Sequence, residues 1–259
     1  AGYVGKRETG GPPQVDFEQE PPHDIILAYA GKLFPHQQLT TFGATDRIFP
    51  TRTISRGNAP IRPIPVAPRP IEDVRVRANG AEQDLIDYVS RNRIVGLLIA
   101  KDGETLFERY EIGLTPTTRW MSMSMAKSVA TTLVGCAIAD GHIGTVDDPL
   151  TDYLPILAGS YDGVSIRHLM QMTSGVEWDD THTNAGSHRR KMLQMQVDQH
   201  AGAILEYMAS LPRVAEPGTR WNYSTGETHL VGALVKAATG KWLADYLSEK
   251  IWSQIGAEQ

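Results

Sequence analysis

The sequence predicts an α/β fold of the α+β kind, in which an antiparallel sheet is flanked by helices and joined to a mainly helical domain. One observation is the pair of apolar segments on either side of Asp102-Gly103, which is typical of a β-hairpin. The other is the helical spacing of apolar residues in several segments after residue 124. Hydrophobic residues make up 41% of the 259 residues and charged residues 21%, which excludes wholesale disorder.

Charge and cysteine content exclude further classes of protein. The formal net charge of -5 argues against nucleic acid as a partner. No uninterrupted apolar run approaches the roughly 20 residues of a transmembrane helix. The single Cys136 can form neither an internal disulfide nor a thiolate metal cage. The chain begins at Ala1 rather than Met, which fits the removal of a signal peptide, a propeptide or engineered residues, three alternatives between which the sequence does not decide. We expect a periplasmic or secreted location, with the cytoplasm as the alternative.

Residues 1–78 are predicted to form a proline-rich N-terminal arm, and residues 79–259 the globular domain. Eleven of the 16 prolines lie between Pro12 and Pro70. Because proline fixes φ and lacks an N–H donor, neither a regular helix nor a central strand is expected there. Apolar residues between the last prolines favour an arm that packs on the globular part, and a disordered tail is the alternative.

Regular elements are expected from Ala81 onward. Residues 81–93 have the apolar spacing of a helix, and residues 94–101 and 105–110 are the predicted strands of the hairpin. Residues 124–140 are apolar on nearly every side, which predicts a central, buried helix. After a proline-broken connection at 144–157, further helices are expected at 164–172, 203–210, 227–239 and 241–255.

Ser124 and Lys127 are candidate catalytic residues. On a helix, two residues three positions apart lie one turn apart on the same face. A serine hydroxyl is a poor nucleophile without a base beside it. Apolar neighbours such as Met125 and Val129 should desolvate Lys127, which favours its neutral form and lets it act as that base. The alternative is a surface pair without a chemical role.

Tyr223 is the third candidate. It follows Pro217-Gly218 on a loop just ahead of a predicted helix, from which its hydroxyl can reach into a cleft. The alternative is a packing residue with a hydrated hydroxyl. The sequence has no zinc-protease motif, no phosphate-binding loop and no Gly-x-Ser-x-Gly elbow, and the loop histidines His182 and His188 belong to no ligand-spaced motif. Neither a metal nor a cofactor is therefore expected.

Four segments together resemble the serine β-lactamase and penicillin-binding-protein-like superfamily. The likeness is closer to its class C, esterase and 6-aminohexanoate-dimer hydrolase branch. In chain order the segments are Ser-Met-Ala-Lys at 124–127, Gly-Thr-Val-Asp-Asp-Pro-Leu-Thr-Asp-Tyr-Leu-Pro at 144–155, Leu-Met-Gln-Met-Thr-Ser-Gly at 169–175, and Pro217-Gly218 leading to Tyr223-Ser224. They occur in family order over residues 81–259, and they imply a β-lactamase-like fold.

The resemblance implies a role for each candidate residue. Ser124 would be the acylated nucleophile, Lys127 its general base and Tyr223 the proton shuttle, and the main-chain N–H of Ser124 would be one oxyanion donor. Thr225 stands where class C-like members commonly have Asn, which argues against tight β-lactam recognition. Residues 176–190 lack the extra tyrosine of aminohexanoate-dimer hydrolases, which argues against hydrolysis of nylon oligomers.

We therefore expect a serine hydrolase that cleaves small esters or amides through a covalent acyl-enzyme on Ser124. One alternative is a D-amino-acid peptidase or a β-lactamase-like penicillin-binding enzyme, and another is a catalytically silent binding or scaffold relative. The Lys-Thr-Gly or His-x-Gly-like strand of the superfamily, which supplies the second oxyanion donor, has no counterpart after Tyr223. A second polypeptide or a missing C-terminal segment is expected to complete the sheet and the oxyanion hole.

Overall fold

The computed structural model describes residues 23–43, 45–69, 71 and 74–258. The chain divides into two compact units, one of Ala1–Arg52 with Trp120–Leu243 and the other of Thr53–Arg119 with Ala244–Gln259. In chain order the described elements are α1 (His23–Tyr29), α2 (Pro35–Phe42), α3 (Thr45–Ile48), β1 (Arg75–Ala78), β2 (Ala81–Asp84), α4 (Leu85–Arg91), β3 (Gly96–Lys101), β4 (Glu104–Tyr110), α5 (Met125–Ala139), α6 (Leu150–Tyr153), α7 (Ile166–Met170), α8 (His188–Asp198), α9 (Ala203–Ser210), α10 (Thr225–Thr239) and α11 (Leu243–Leu247). A short 3₁₀ helix, Pro155–Leu157, follows α6, and a π-helical turn, Ser248–Trp252, follows α11.

The proline-rich arm is partly helical, so the expectation of no regular helix was wrong for residues 23–48. Pro35 is the first residue of α2 and Pro50 lies beyond α3, and at both places a missing N–H breaks no helical hydrogen bond. Residues 51–65 are irregular, as predicted. The backbone then pairs with β4, because Thr105 N–H donates to Pro65 O at 2.7 Å and Ala67 N–H donates to Thr105 O at 2.9 Å. Residues 1–22 of the predicted arm lie outside the described residues.

The predicted β3–β4 hairpin is confirmed. Its strands pair antiparallel from Gly96 with Tyr110 to Lys101 with Glu104. Asp102 has φ 54° and Gly103 has φ 81°, and two successive left-handed residues make the turn that suits the twist of a hairpin.

A second hairpin, β1–β2, was not predicted. It turns through Asn79 and Gly80, whose φ values of 53° and 77° repeat the same geometry. Asn-Gly is a strong hairpin signal that the helical spacing of the following residues obscured. Strand β2 occupies the start of the predicted helix, which begins instead at Leu85, where the Asp84 carboxylate accepts from the N–H of Asp87 at 2.7 Å.

Helix α10 is central to the first unit, where it packs against α5, α6, α7, α8 and α9. Helix α10 contributes Leu230 and Leu234 to the core, and α5 contributes Val134 and Ala137. All four side chains are fully buried. The prediction that α5 is buried all round was wrong for the described residues, because Met125 is 69% exposed. The described packing of α5 involves the face of Leu133, Val134 and Ala137 rather than its first turn.

The remaining helices follow the predictions with two additions, α8 and the single turn α6 within the predicted connection at 144–157. Helices α7, α9, α10 and α11 lie within the predicted segments or begin within two residues of them. Helix α8 was not predicted, because polar residues dominate its sequence, although Met192, Leu193 and Val197 are buried. Among the described helices, none is long and apolar enough to cross a bilayer.

Candidate active site

Ser124 immediately precedes α5, and its hydroxyl does not cap the helix. With φ -71° and ψ -8° its backbone is already helical, and its side chain makes no capping hydrogen bond to the helix. The preceding residue, Met123, has φ 48°, a left-handed conformation that non-glycine residues seldom adopt and that is often found at functional sites. The Ser124 side chain is therefore exposed at a constrained turn.

Lys127 and Tyr223 converge on the Ser124 hydroxyl. The Lys127 ammonium donates to Ser124 Oγ across 3.2 Å, and the Tyr223 hydroxyl donates to the same oxygen across 2.9 Å. Lys127 Nζ lies 5.3 Å from the centre of the Tyr223 ring. The structure thus brings together the three residues selected from the sequence, two from one helix turn and one from a loop 99 residues away.

The expected desolvation of Lys127 is not seen within the described part of the chain. Lys127 itself is half-buried, but its neighbours Met125, Ala126 and Val129 are exposed. The reason is the one-sided packing of α5, which leaves its first turn open. Proximity to Ser124 and Tyr223, rather than apolar burial, defines the surroundings of this lysine.

Tyr223 belongs to the tyrosine loop (residues 217–224), which is hydrogen-bonded to the 172–175 turn. Gly218 N–H donates to Thr173 O at 2.7 Å, and Asn222 N–H donates to Met172 O at 3.0 Å. The Asn222 side-chain amide also donates to Trp178 O at 2.9 Å. These bonds fix the backbone on both sides of the tyrosine.

Gly175 lets the 172–175 turn approach the strand-like segment beside it. Its φ is 79°, and a Cβ atom built on it would lie 2.0 Å from Ala215 O. The Gly175 carbonyl accepts from the N–H groups of Val214 and Ala215 at 2.8 and 3.1 Å. Any side chain at this position would break that contact.

Asp180 ties the loop before α8 to the start of α10. Its carboxylate accepts from the Trp178 indole N–H at 2.7 Å, from the Thr225 N–H at 3.1 Å and from the Thr225 hydroxyl at 3.3 Å. His182 Nε2 lies 3.4 Å from the same carboxylate. The hydroxyl of Thr225 is thus hydrogen-bonded to the protein.

A cavity of about 180 Å³ opens beside Lys127. Its lining combines hydroxyl groups with aliphatic and thioether side chains, from Lys127, Ser128, Thr131, Leu169, Met170, Met172, Thr228 and Val231. No cluster of His, Cys, Asp and Glu side chains suited to a metal ion occurs among the described residues.

Comparison with known families identifies the fold. The profile of the Beta-lactamase family matches residues 82–258. The chain belongs to the Beta-lactamase family. It is 26% identical over 257 residues to the 6-aminohexanoate-dimer hydrolase of Paenarthrobacter ureafaciens, covering 97% of this chain and 60% of that protein. It is 23% identical over 176 residues to a beta-lactamase of Pseudomonas fluorescens, covering 63% of this chain and 44% of that protein.

A solved structure confirms the predicted α/β, β-lactamase-like fold. A Bacillus anthracis protein assigned as a 6-aminohexanoate-dimer hydrolase superposes with a TM-score of 0.75 at 21% identity, covering 87% of this chain and 61% of that one. This chain of the Beta-lactamase family therefore spans about half to three-fifths of the length of the relatives it matches.

Glu227 is a residue of this family member that the sequence analysis did not select. It lies in the first turn of α10, is 3% exposed and accepts a hydrogen bond from the Ser174 hydroxyl. Burial raises the pKa of Glu227 to about 7, against a smaller opposing effect of the Ser174 hydrogen bond. The spacing Ser224-x-x-Glu227 is a capping-box signature that marks the helix start, and Ser224 Oγ does accept from Glu227 N–H at 3.1 Å.

Proposed function

We propose that this protein is a serine hydrolase that cleaves small esters or amides through a covalent acyl-enzyme on Ser124. The observation that carries the proposal is the convergence of Lys127 Nζ and the Tyr223 hydroxyl on Ser124 Oγ, at 3.2 and 2.9 Å. A nucleophile with two proton-transferring groups in hydrogen-bond reach is the arrangement that acyl transfer requires.

The reaction follows from these contacts. Ser124 Oγ attacks the carbonyl carbon, and its proton passes to Lys127 Nζ, which accepts it in the fraction of molecules where this amine is unprotonated, directly or by way of Tyr223. The carbonyl oxygen becomes an oxyanion, which the main-chain N–H of Ser124 and the positive end of α5 stabilise. The carbon–heteroatom bond then breaks, and the leaving alcohol or amine takes the proton from Tyr223, which regains one from the Lys127 ammonium, so that both groups return to their starting states. Water repeats the same steps on the acyl-enzyme and releases the acid.

The cavity beside Lys127 supports a small substrate. Its volume of about 180 Å³ suits a compact group, and its mixed lining suits an uncharged chain with few polar atoms. The names of the two relatives denote hydrolysis of a 6-aminohexanoate dimer and of a β-lactam. Both substrates are acyl compounds, which supports the reaction class proposed for this chain.

A second oxyanion donor is part of the proposal. We assign it to residues outside the described elements, on a second polypeptide or a further segment of the protein, acting in the periplasm or outside the cell. Exposed apolar side chains beside the nucleophile, Met125 and Val129, support a covering partner there. Mass spectrometry of the active preparation tests this part, because full activity in a single species of these 259 residues would contradict it.

A β-lactamase-like or D-amino-acid peptidase activity is the second candidate. The Pseudomonas fluorescens relative favours it. Thr225 argues against it, because its hydroxyl is bonded to Asp180 at 3.3 Å and it lacks the amide of asparagine. Labelling by a fluorescent penicillin would support this candidate, whereas labelling by a fluorophosphonate alone supports the esterase or amidase.

The nucleophile is tested by substitution. Ser124→Ala is expected to abolish both fluorophosphonate labelling and hydrolysis of p-nitrophenyl acetate, with an unchanged circular dichroism spectrum. Lys127→Ala is expected to lower kcat/KM by several orders of magnitude, because the hydroxyl loses its base. Ser122→Ala is the matched control, since Ser122 is also exposed and lies two residues before the nucleophile. Turnover by Ser124→Ala equal to that of the wild type would end the proposal.

A further inference from the structure

Glu227 is a buried carboxyl group that the proposed mechanism does not use. One of its oxygens accepts from the Ser174 hydroxyl. The other, Oε2, is buried and has no hydrogen-bond partner among the described residues. A carboxyl group in this position either keeps its proton or holds a charge with one oxygen unpaired, and the second state is costly away from water.

The surroundings of Glu227 offer little compensation for a negative charge. Tyr161 is fully buried, and its pKa lies well above the ordinary value because of burial and, secondarily, the charge of Glu227. On α10 itself, desolvation lowers the pKa of His229. Further titratable groups lie on α10, on the helices packed against it and in the segment before α7, and none of them is hydrogen-bonded or ion-paired with Glu227 in the described chain: Lys127, Cys136, Asp147, Asp148, Asp152, Tyr153, Asp162, Arg167, His168, His188, Arg189, Arg190, Lys191, Asp198, Glu206, Tyr207, His229 and Lys236.

Glu227 contacts the two pieces of structure that hold Tyr223, one through its carboxyl group and the other through its backbone N–H. Ser174 belongs to the 172–175 turn, to which the tyrosine loop is hydrogen-bonded. On the other side, Ser224 Oγ accepts from Glu227 N–H at 3.1 Å, and Ser224 N–H donates to Met172 Sδ at 3.3 Å. The turn, the tyrosine loop and the first turn of α10 therefore meet at Glu227.

We propose that Glu227 is a positioning residue for Tyr223, and that loss of the proton from its buried carboxyl shifts the tyrosine loop and the Tyr223 hydroxyl relative to Ser124. The inference rests on the proposed function for its catalytic consequence, and on the described contacts for the coupling itself. Protonated Glu227 carries no charge into the core. Once the carboxyl is ionised, either water or a movement of the 172–175 turn and of the first turn of α10 must stabilise its charge. The 172–175 turn and the first turn of α10 both contact the residues that flank Tyr223.

The coupling is measured directly at the tyrosine. In protein labelled with ¹³Cζ-tyrosine, with the Tyr223 resonance assigned by Tyr223→Phe, that resonance is expected to shift with a midpoint near pH 7, because burial raises the pKa of Glu227 to about 7. In Glu227→Gln the resonance should stay constant across the same pH range. Glu177→Gln, which neutralises an exposed carboxyl three residues after Ser174, should behave as the wild type. A Tyr223 resonance that does not move in the wild type, or that moves equally in Glu227→Gln, overturns the inference.

The catalytic consequence has its own measurement. The ratio of kcat/KM of the wild type to that of Glu227→Gln, with p-nitrophenyl acetate, is expected to fall severalfold between pH 6 and pH 8. Ser174→Ala should move the midpoint to higher pH. In the wild type the hydrogen bond from Ser174 favours the charged form of Glu227, so its loss raises the pKa of that carboxyl. Parallel pH profiles of wild type and Glu227→Gln would overturn the effect on catalysis. Absence of hydrolysis in both proteins would contradict the proposed function, while the tyrosine resonance would still decide the coupling.

Discussion

Ser124 Oγ is the point at which the chemistry of this site is decided. It accepts hydrogen bonds from Lys127 and from the Tyr223 hydroxyl. The serine proton can therefore be donated to neither neighbour until one of them is deprotonated and can accept it. The Tyr223 hydroxyl is the closer of the two at 2.9 Å, and it is suited to carry a proton between Ser124, Lys127 and a leaving group.

Removing that hydroxyl isolates its contribution. Tyr223→Phe is expected to lower kcat by about 10²- to 10⁴-fold, the usual effect of losing a positioned proton-transfer group, with almost no change in the free energy of unfolding. Steady-state kinetics with p-nitrophenyl acetate and urea unfolding measure the two quantities. Tyr153→Phe is the control, because its hydroxyl donates to Asp148 at 2.8 Å outside the site. Unchanged activity in Tyr223→Phe would make Tyr223 a packing residue.

The 172–175 turn is the element that carries the tyrosine loop, and its geometry depends on a glycine. Gly175 combines a left-handed backbone with an approach to Ala215 O that leaves no room for a Cβ atom. Gly159 has a similar left-handed backbone, with φ 97°, but faces open space. Substitutions at Gly159 and Gly175 therefore distinguish the cost of backbone strain alone from the added cost of a steric clash.

Alanine substitutions at these two glycines should differ clearly. Gly159→Ala is expected to cost about 1–2 kcal/mol of unfolding free energy, from the left-handed conformation alone. Gly175→Ala adds displacement of the backbone at Ala215, and we expect a total loss of about 3 kcal/mol or more together with reduced activity, because the tyrosine loop moves with the turn. Urea denaturation measures both. Equal losses in the two variants would show that the contact with Ala215 is not rigid.

At the scale of the whole molecule, ionisable groups act on folding stability in opposite pH ranges. Asp147 and Asp148 have lowered pKa values because of hydrogen bonds, chiefly from Arg167 and Tyr153 respectively. Their contribution is present above their ordinary pKa and disappears as the pH falls. Glu227 is the opposite case, because burial raises its pKa from 4.5 to about 7. Its contribution is present at low pH and is lost as the pH rises through about 7.

Glu227→Gln should therefore flatten the upper part of the stability profile. Between pH 4.5 and about 7 the folded wild type keeps a proton that the unfolded chain releases, so its unfolding free energy falls by an amount on the order of 3 kcal/mol relative to that of Glu227→Gln. Urea denaturation at a series of pH values measures the difference. A difference between the two proteins that does not vary with pH would show that Glu227 is ionised across this range.

Much of the fold could be predicted from local sequence. Asp102-Gly103 between apolar segments specified the β3–β4 hairpin, and apolar spacing located α5, α7, α9 and α10. The failures have local causes as well. In α8 the polar residues outnumber the buried apolar ones, so its helical spacing was not recognised. In the N-terminal arm, prolines at helix boundaries were interpreted as excluding the helices between them. The site candidates came from the Ser-x-x-Lys spacing and a Pro-Gly-introduced loop, and their convergence within hydrogen-bond distance was settled by the folded structure.

The sequence by itself determined the family-like order of motifs, the hairpin and the helix that begins beside Ser124, because each depends on residues a few positions apart. Tertiary structure alone decided the environment of the charged groups. Lys127 was expected to be desolvated and lies on an open helix turn, whereas Glu227, which no local pattern marked as buried, is 3% exposed. Burial depends on which distant segments pack nearby, and Ser174, 53 residues from Glu227, leaves no trace in the local pattern around it.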